Sequence, residues 1–127
     1  MDKLAYQRLI EKAKDFAENA YCPYSGTPIG ACVLAQNGMI YGGCNIEVCT
    51  LSESLGAVEV AVAKAVSEGC SQIMAIAVYS EDIMPYPTGA ERQLIKEFNV
   101  RTQIIVANRD NVEQLSVQEL MPFSREK

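Results

Sequence analysis

Asn37 and Gly38 lie between two apolar runs, and this short polar break limits the fold more than any other feature of the sequence. The runs cover residues 29–35 and 39–46. Asn-Gly between two apolar segments is a strong β-hairpin signal, because both residues readily adopt the positive φ angles of a tight turn. The sequence therefore predicts an antiparallel pair of strands joined at residues 36–38.

Helical patterns flank this hairpin on both sides. Apolar residues recur at helical spacing over residues 4–20, with charged residues on the opposite face, and this helix is predicted to end before Pro23. Residues 54–67 are rich in alanine and valine, contain no proline and lead to Gly69, a helix stop signal. The low charge of the second segment predicts a largely buried helix.

The remaining apolar segments complete an alternating order of helices and strands. Residues 73–79 and 103–107 are typical of core strands, residues 89–98 of a helix between them, and residues 116–121 of a short last helix. This order predicts a single domain over residues 1–127, an α/β protein with three layers, helix, mixed sheet and helix.

Charge and composition exclude several classes of function. Lysine and arginine total 11 against 16 acidic residues, a net charge of −5, so nucleic acid is an unfavourable partner. The chain has no histidine, the commonest metal ligand and the usual general base near neutral pH. It has no apolar run long enough for a membrane span, and its first residues begin a helix instead of a signal peptide. We therefore expect a cytoplasmic protein with no membrane partner.

Six short segments, in their order and spacing, resemble the small, usually homotetrameric cytidine deaminases. They are Ala20-Tyr21-Cys22-Pro23-Tyr24-Ser25, Ile29-Gly30-Ala31, Gly43-Cys44-Asn45-Ile46-Glu47, Lys64-Ala65-Val66-Ser67-Glu68-Gly69, Pro87-x-Gly89-x-x-Arg92-Gln93 and Glu119-Leu120-Met121-Pro122. The resemblance covers most of the chain. It implies the deaminase fold, a homotetramer or homodimer, and a nucleoside-like ligand.

The chain departs from the family pattern at the positions of the zinc site. Deaminases of this kind hold zinc through a Cys or His two residues before a catalytic Glu, and through two Cys of a Pro-Cys-x-x-Cys run. Ungapped counting places these ligand positions on Gly56, Thr88 and Glu91, and the catalytic position on Val58. An arginine of the family falls on Glu59. The resemblance therefore implies that all three ligands and the acid/base residue are replaced.

The replacements predict a protein without a metal cofactor. Zinc lowers the pKa of bound water from about 15.7 to about 7, which corresponds to roughly 12 kcal/mol as an upper bound, and a lone carboxylate cannot supply this. Thr88-x-x-Glu91 is instead a capping-box pattern, and Ser116-x-x-Glu119 repeats it on the last helix. Glu91 is interpreted either as a helix cap or as a candidate catalytic residue. Val58 is expected to pack as the floor of an apolar pocket.

The sugar-binding residues of the family are partly present. The resemblance assigns a ribose hydroxyl to Asn45 and Glu47, whose amide and carboxylate suit a vicinal diol. Both are equally open to a structural role at a strand end. Thr27 stands where an aromatic residue is expected, and Phe123 either covers a ligand across a subunit boundary or is an ordinary core or interface residue. Arg92 is expected to form a structural ion pair.

Three functions remain open at this stage. The first is a zinc-free, deaminase-like pseudoenzyme that binds a nucleoside-like molecule through Asn45, Glu47, Thr88, Glu91 and Phe123, or that partners an active paralogue. The second is a zinc-independent hydrolase that cleaves a nucleoside N-glycosidic bond with Glu91, Glu47 or Glu59 as acid and base. The third, by family analogy alone, is hydrolytic deamination of cytidine.

Overall fold

The computed structural model describes residues 2–125 as five strands and four α-helices. In chain order, the elements are α1 (Lys3–Ala17), β1 (Ile29–Ala35), β2 (Ile40–Cys44), a 3₁₀ turn (Leu51–Glu53), α2 (Ala57–Ser67), β3 (Ile73–Ser80), α3 (Gly89–Phe98), β4 (Gln103–Ala107), β5 (Val112–Ser116) and α4 (Val117–Leu120). None of the helices within this part of the chain is long and apolar enough to cross a membrane.

The strands form one mixed sheet in the order β2-β1-β3-β4-β5. β1 runs antiparallel to both β2 and β3, whereas β3 and β4 are parallel and are connected through α3. β5 pairs antiparallel with β4 at the sheet edge. The predicted mixed sheet is confirmed.

Helices cover both faces of the sheet, which confirms the predicted three layers. On one face α1 packs against β1 and β3, with Leu9 and Ala13 buried against Cys32 and Ala77. On the other face α2 and α3 cover a larger core built mainly of valine, isoleucine and alanine. α2 approaches β2 so closely that a Cβ on Gly43 would lie 2.6 Å from the backbone nitrogen of Ala61.

The predicted element bounds hold best where the sequence signal is local. The hairpin turns at Gly38 with φ of 87°, and β1, β4 and α3 have the predicted bounds. α2 begins at Ala57 instead of residue 54, because residues 51–53 form a separate 3₁₀ turn. The sequence does not predict β5, since its residues are mostly exposed and carry no apolar run. Pairing with β4 makes this segment a strand.

Candidate functional site

The N-termini of α2 and α3 meet beside a cavity of about 370 Å³. α3 is the crossover between the parallel strands β3 and β4, so its N-terminus lies toward the carboxyl ends of these strands, where open α/β sheets commonly bind ligands. The cavity lining includes Ser52, Ser54, Gly56, Glu59, Thr88 and Glu91. The structure thus brings together the three positions that ungapped counting matched to zinc ligands.

Glu91 is the central side chain of this site and is 8% exposed. Its Oε1 accepts a hydrogen bond from the backbone N–H of Thr88 (3.1 Å), and its Oε2 accepts one from the backbone N–H of Glu59 (3.0 Å). The backbone N–H of Glu91 donates to Thr88 Oγ1 (3.1 Å). The predicted Thr88–Glu91 capping box is confirmed, and Glu91 additionally contacts the neighbouring helix.

Gly56 lies directly against the Glu91 carboxylate. A Cβ built on Gly56 would lie 2.3 Å from Glu91 Oε2 and 2.8 Å from Glu91 Cδ. The N–H of Gly56 donates to Glu59 Oε1 (3.0 Å), so Glu59 folds back over the start of its own helix. The two glutamates therefore satisfy backbone groups at both helix N-termini.

This set of donors does not fit a zinc ion. Structural and catalytic zinc sites need at least three Cys, His or carboxylate ligands that converge on one point. Gly56 has no side chain, the Thr88 hydroxyl accepts from Glu91, and both oxygens of Glu91 accept backbone N–H groups. Within residues 2–125, no group of three or more Cys, Asp or Glu side chains could hold a metal ion.

Two neighbouring residues test further expectations. Val58 of α2 is 1% exposed and packs in the apolar core, which confirms its packing, but it is not among the residues that line the cavity. The predicted ion pair of Arg92 is wrong: its guanidinium donates to the carbonyl oxygens of Pro87 (2.7 Å) and Leu120 (3.0 Å). Arg92 thus holds the loop before α3 and the end of α4, because these carbonyls lie within its reach and need donors.

Asn45 and Glu47 hold the loop between α1 and β1. The buried Asn45 side chain accepts from the Ile29 N–H (2.9 Å) and donates to the Thr27 carbonyl (2.9 Å). Glu47 Oε1 accepts from the backbone N–H groups of Tyr24 and Ser25, each at 3.0 Å. Hydrogen bonds from Ser25 are the main reason that the pKa of Glu47 is lowered. This loop cluster differs from the Glu91 site and is not part of the cavity lining.

Backbone hydrogen bonds connect the segment that carries Asn45 and Glu47 to the segment that leads into the cavity lining. Ile46 and Leu55 exchange two backbone hydrogen bonds of 2.9 and 2.8 Å, and Val48 N–H donates to Ser54 Oγ (3.0 Å). Ser54 lines the cavity. The backbone on either side of Glu47 therefore bonds to the segment that leads into the cavity lining.

Phe123 lies elsewhere in this chain. It is fully exposed, has a φ of 57°, and borders a different cavity of about 540 Å³ together with Lys96 and Met121. An ordinary core position for Phe123 is therefore wrong for the isolated chain. Its assignment to a ligand site across a subunit boundary stays a prediction.

Comparison with known proteins identifies the family. The family model described as the cytidine and deoxycytidylate deaminase zinc-binding region matches residues 4–107. The chain belongs to the cytidine deaminase family. Its relatives include the cytidine deaminase of Sporosarcina psychrophila, 41% identical over 125 residues that cover 94% of this chain and 92% of the relative. That of Halalkalibacterium halodurans is 35% identical and covers 91% of this chain and 90% of the relative.

Solved structures agree with this assignment to the cytidine deaminase family. The cytidine deaminase of Burkholderia pseudomallei superposes with a TM-score of 0.90 at 30% identity, covering 98% of this chain and 100% of that chain. The enzyme of Mycobacterium tuberculosis gives a TM-score of 0.83 at 25% identity, with 96% and 98% covered. The expected cytidine deaminase-like fold is confirmed.

Sequence reasoning missed the part that Glu59 plays in the site. The sequence identifies Glu59 as a replacement for a family arginine and as a candidate acid or base, yet its carboxylate caps Gly56 and its N–H donates to Glu91. The first of these bonds has a sequence signal, since Glu59 follows the N-cap residue Gly56 by three positions. The second joins residues 32 positions apart and has no local signal.

Proposed function

We propose that this chain is a zinc-free member of the cytidine deaminase family that does not deaminate cytidine and that binds a nucleoside-like small molecule. The observation that carries this proposal is the engagement of Gly56, Thr88 and Glu91 with one another. These groups leave no converging donors for zinc, and residues 2–125 offer no other set that could hold the ion that would generate hydroxide near neutral pH.

The cavity supports a ligand-binding role. Its volume of about 370 Å³ lies in the range of small-molecule sites, and hydroxyl and carboxylate groups of Ser52, Ser54 and Glu59 line it. Such groups accept hydrogen bonds from sugar hydroxyls and exocyclic amines. We assign Glu47, whose neighbours Ile46 and Val48 bond to Leu55 and to the cavity-lining Ser54, to direct contact with a ribose hydroxyl. Asn45 positions the loop beside it, because both ends of its amide are engaged with backbone groups.

We further propose that the chain acts as a homo-oligomer, a tetramer or a dimer. The full exposure of Phe123 supports this, since an aromatic ring of that size is normally covered by protein. In the assembly Phe123 is assigned to the ligand site of a neighbouring copy. Light scattering coupled to size exclusion tests the assembly, and a monomer at all concentrations would contradict it.

Zinc-dependent deamination of cytidine is the competing function that the relatives favour, because they bear the name cytidine deaminase. The Sporosarcina psychrophila relative therefore provides the positive control. Both proteins are expressed with added zinc, freed of tags, and assayed for metal content and for conversion of cytidine to uridine. We expect zinc and turnover for the relative and neither for this chain. Stoichiometric zinc with turnover in this chain would overturn the proposal.

Cleavage of a nucleoside N-glycosidic bond is the alternative that one observation favours, namely that Glu59 and Glu91 line the same cavity. Water would add across the bond to give free base and ribose, with one carboxyl as acid and the other as base. Each carboxylate, however, already accepts a backbone N–H. Chromatography of cytidine and uridine incubations detects this reaction, and release of free base would replace our proposal with a hydrolase.

A thermal-shift screen of nucleosides, bases and nucleotides tests the binding role directly. A ligand that binds only the folded state adds about 2.7 kcal/mol at a concentration of one hundred times its Kd. We expect a nucleoside to raise the melting temperature, and we expect Glu47→Gln to reduce this shift. No shift with any compound would contradict the binding role while leaving the absence of zinc a separate result.

A further inference from the structure

We infer that the Glu91 carboxylate is a shared helix cap: it supplies the side-chain acceptor that α2 lacks, caps its own helix α3, and so joins the two helices at the point where the family holds a metal. This inference goes beyond the proposed function. It concerns what holds the site together, and it stands or falls separately from nucleoside binding.

The first argument is the incomplete cap of α2. In a capping box the N-cap side chain accepts the N–H of the third helical residue, whose own side chain accepts the N-cap N–H. At α2 the second of these bonds is present, because the Glu59 side chain accepts the N–H of Gly56 (3.0 Å). The first bond cannot form, because Gly56 has no side chain to accept the Glu59 N–H. This N–H donates instead to Glu91 Oε2 (3.0 Å). Glu91 thus acts as the missing cap from another helix.

The second argument is that Glu91 keeps its local role at the same time. Its Oε1 accepts the N–H of Thr88, and Thr88 Oγ1 accepts the N–H of Glu91, both at 3.1 Å. One buried carboxylate therefore bonds backbone groups at two helix N-termini, which both carry partial positive charge. Its negative charge and its two acceptor oxygens match this position.

The third argument explains why position 56 is glycine. Gly56 has φ of −80° and ψ of 156°, which any residue adopts, so backbone conformation does not require glycine. Space favours it, because a Cβ would lie 2.3 Å from Glu91 Oε2, and the Glu91 carboxylate could move away only by giving up its bonds to the N–H groups of Glu59 and Thr88. The shared cap thus predicts that residues 56 and 91 are energetically coupled.

A double-mutant cycle on Gly56→Ala and Glu91→Ala measures this coupling by urea unfolding of the full chain. In the wild-type background we expect Gly56→Ala to raise the equilibrium constant of unfolding roughly thirtyfold, through overpacking. In the Glu91→Ala background only the poorer capping by alanine remains, about threefold. Glu91→Gln keeps the shape of the side chain and should preserve the large effect. Equal effects of Gly56→Ala in the wild-type and Glu91→Ala backgrounds would overturn the inference.

Chemical rescue provides an independent test. Glu91→Ala removes Cγ, Cδ and both oxygens, which are the heavy atoms of acetate, and leaves two N–H donors facing the space. We expect sodium acetate to raise the urea midpoint of Glu91→Ala above the value in equal sodium chloride, and to have no such effect on the wild type or on Glu119→Ala. If Glu91→Ala is unfolded, recovery of the folded signal by acetate and not by chloride supports the inference. No specific acetate effect in either form would contradict it.

Discussion

Two helices of this protein begin with the same four-residue pattern, yet their glutamates have different surroundings. At α4, Ser116 Oγ accepts the Glu119 N–H (3.0 Å) and Glu119 Oε1 accepts the Ser116 N–H (2.9 Å). At α3, Thr88 and Glu91 form the same two bonds at 3.1 Å. Glu119 is exposed, whereas Glu91 is buried and its side chain accepts a second bond, from the N–H of Glu59 in α2.

The difference teaches that a local motif determines a cap but not what the cap holds together. Both pairs satisfy the backbone of their own helix, as the pattern predicts. Only Glu91 lies where a second helix N-terminus approaches, and only there does glycine leave room for a carboxylate. The two capping boxes are equivalent locally, but the tertiary fold places only the one at α3 in contact with another helix, α2.

Replacing the two capping glutamates, Glu91 and Glu119, should give the largest difference in stability between the two caps. Glu91→Ala removes a buried carboxylate and leaves the part-buried N–H groups of Thr88 and Glu59 without their charged acceptor, so we expect a loss of about 3 kcal/mol in the free energy of unfolding. Glu119→Ala removes an exposed cap and should cost about 1 kcal/mol. Urea unfolding of both variants measures the difference. Similar losses would mean that the bond to Glu59 adds nothing.

Adding a methyl group at two glycines sharpens the same comparison. Gly56→Ala should destabilise by about 2 kcal/mol, since the new Cβ meets the Glu91 carboxylate. At Gly89, the first residue of α3, an added Cβ would meet nothing within 4 Å, so Gly89→Ala should stabilise by about 0.5 kcal/mol. Thermal and urea unfolding compare the pair. A neutral Gly56→Ala would show that Glu91 moves aside freely.

Truncating the N-cap residues Thr88 and Ser116 should give similar losses of stability at α3 and α4. Thr88→Ala and Ser116→Ala each delete one local acceptor, and neither hydroxyl bonds the other helix. We expect each to cost about 1 kcal/mol. The same unfolding measurements serve here. A much larger loss for Thr88→Ala would place the cross-helix contact on the threonine as well as on Glu91.

Glu47 offers the smallest effect and a dependence on pH. It accepts two backbone N–H groups, as Glu91 does, but in an accessible loop. Its pKa is lowered from the ordinary 4.5 by hydrogen bonds from Ser25, so its stabilising contribution is present above pH 4.5 and is lost as pH falls through the folded pKa. The stability difference between wild type and Glu47→Gln should therefore shrink below pH 4.5. A constant difference from pH 7 to pH 3 would contradict this.

The sequence predicted most of the fold because its signals are local. The Asn37-Gly38 turn, the apolar strands and the Thr88 cap each depend on neighbours within a few residues. The strand β5 escaped prediction because Val112 and Glu113 are exposed and owe their conformation to pairing with β4. Likewise, ungapped counting matched Gly56 and Glu91 to ligand positions of the family. Their direct contact joins distant segments, so it follows only from the packing of α2 against α3.

The tight fit of Gly56 against Glu91 also limits how this protein can change over evolutionary time. A cysteine at position 56 would collide with the carboxylate, and a cysteine at position 91 would strip both helices of their acceptor. Each single replacement toward a thiolate ligand therefore passes through a less stable intermediate. The glycine and the glutamate thus make either cysteine substitution unfavourable as long as the other residue is unchanged.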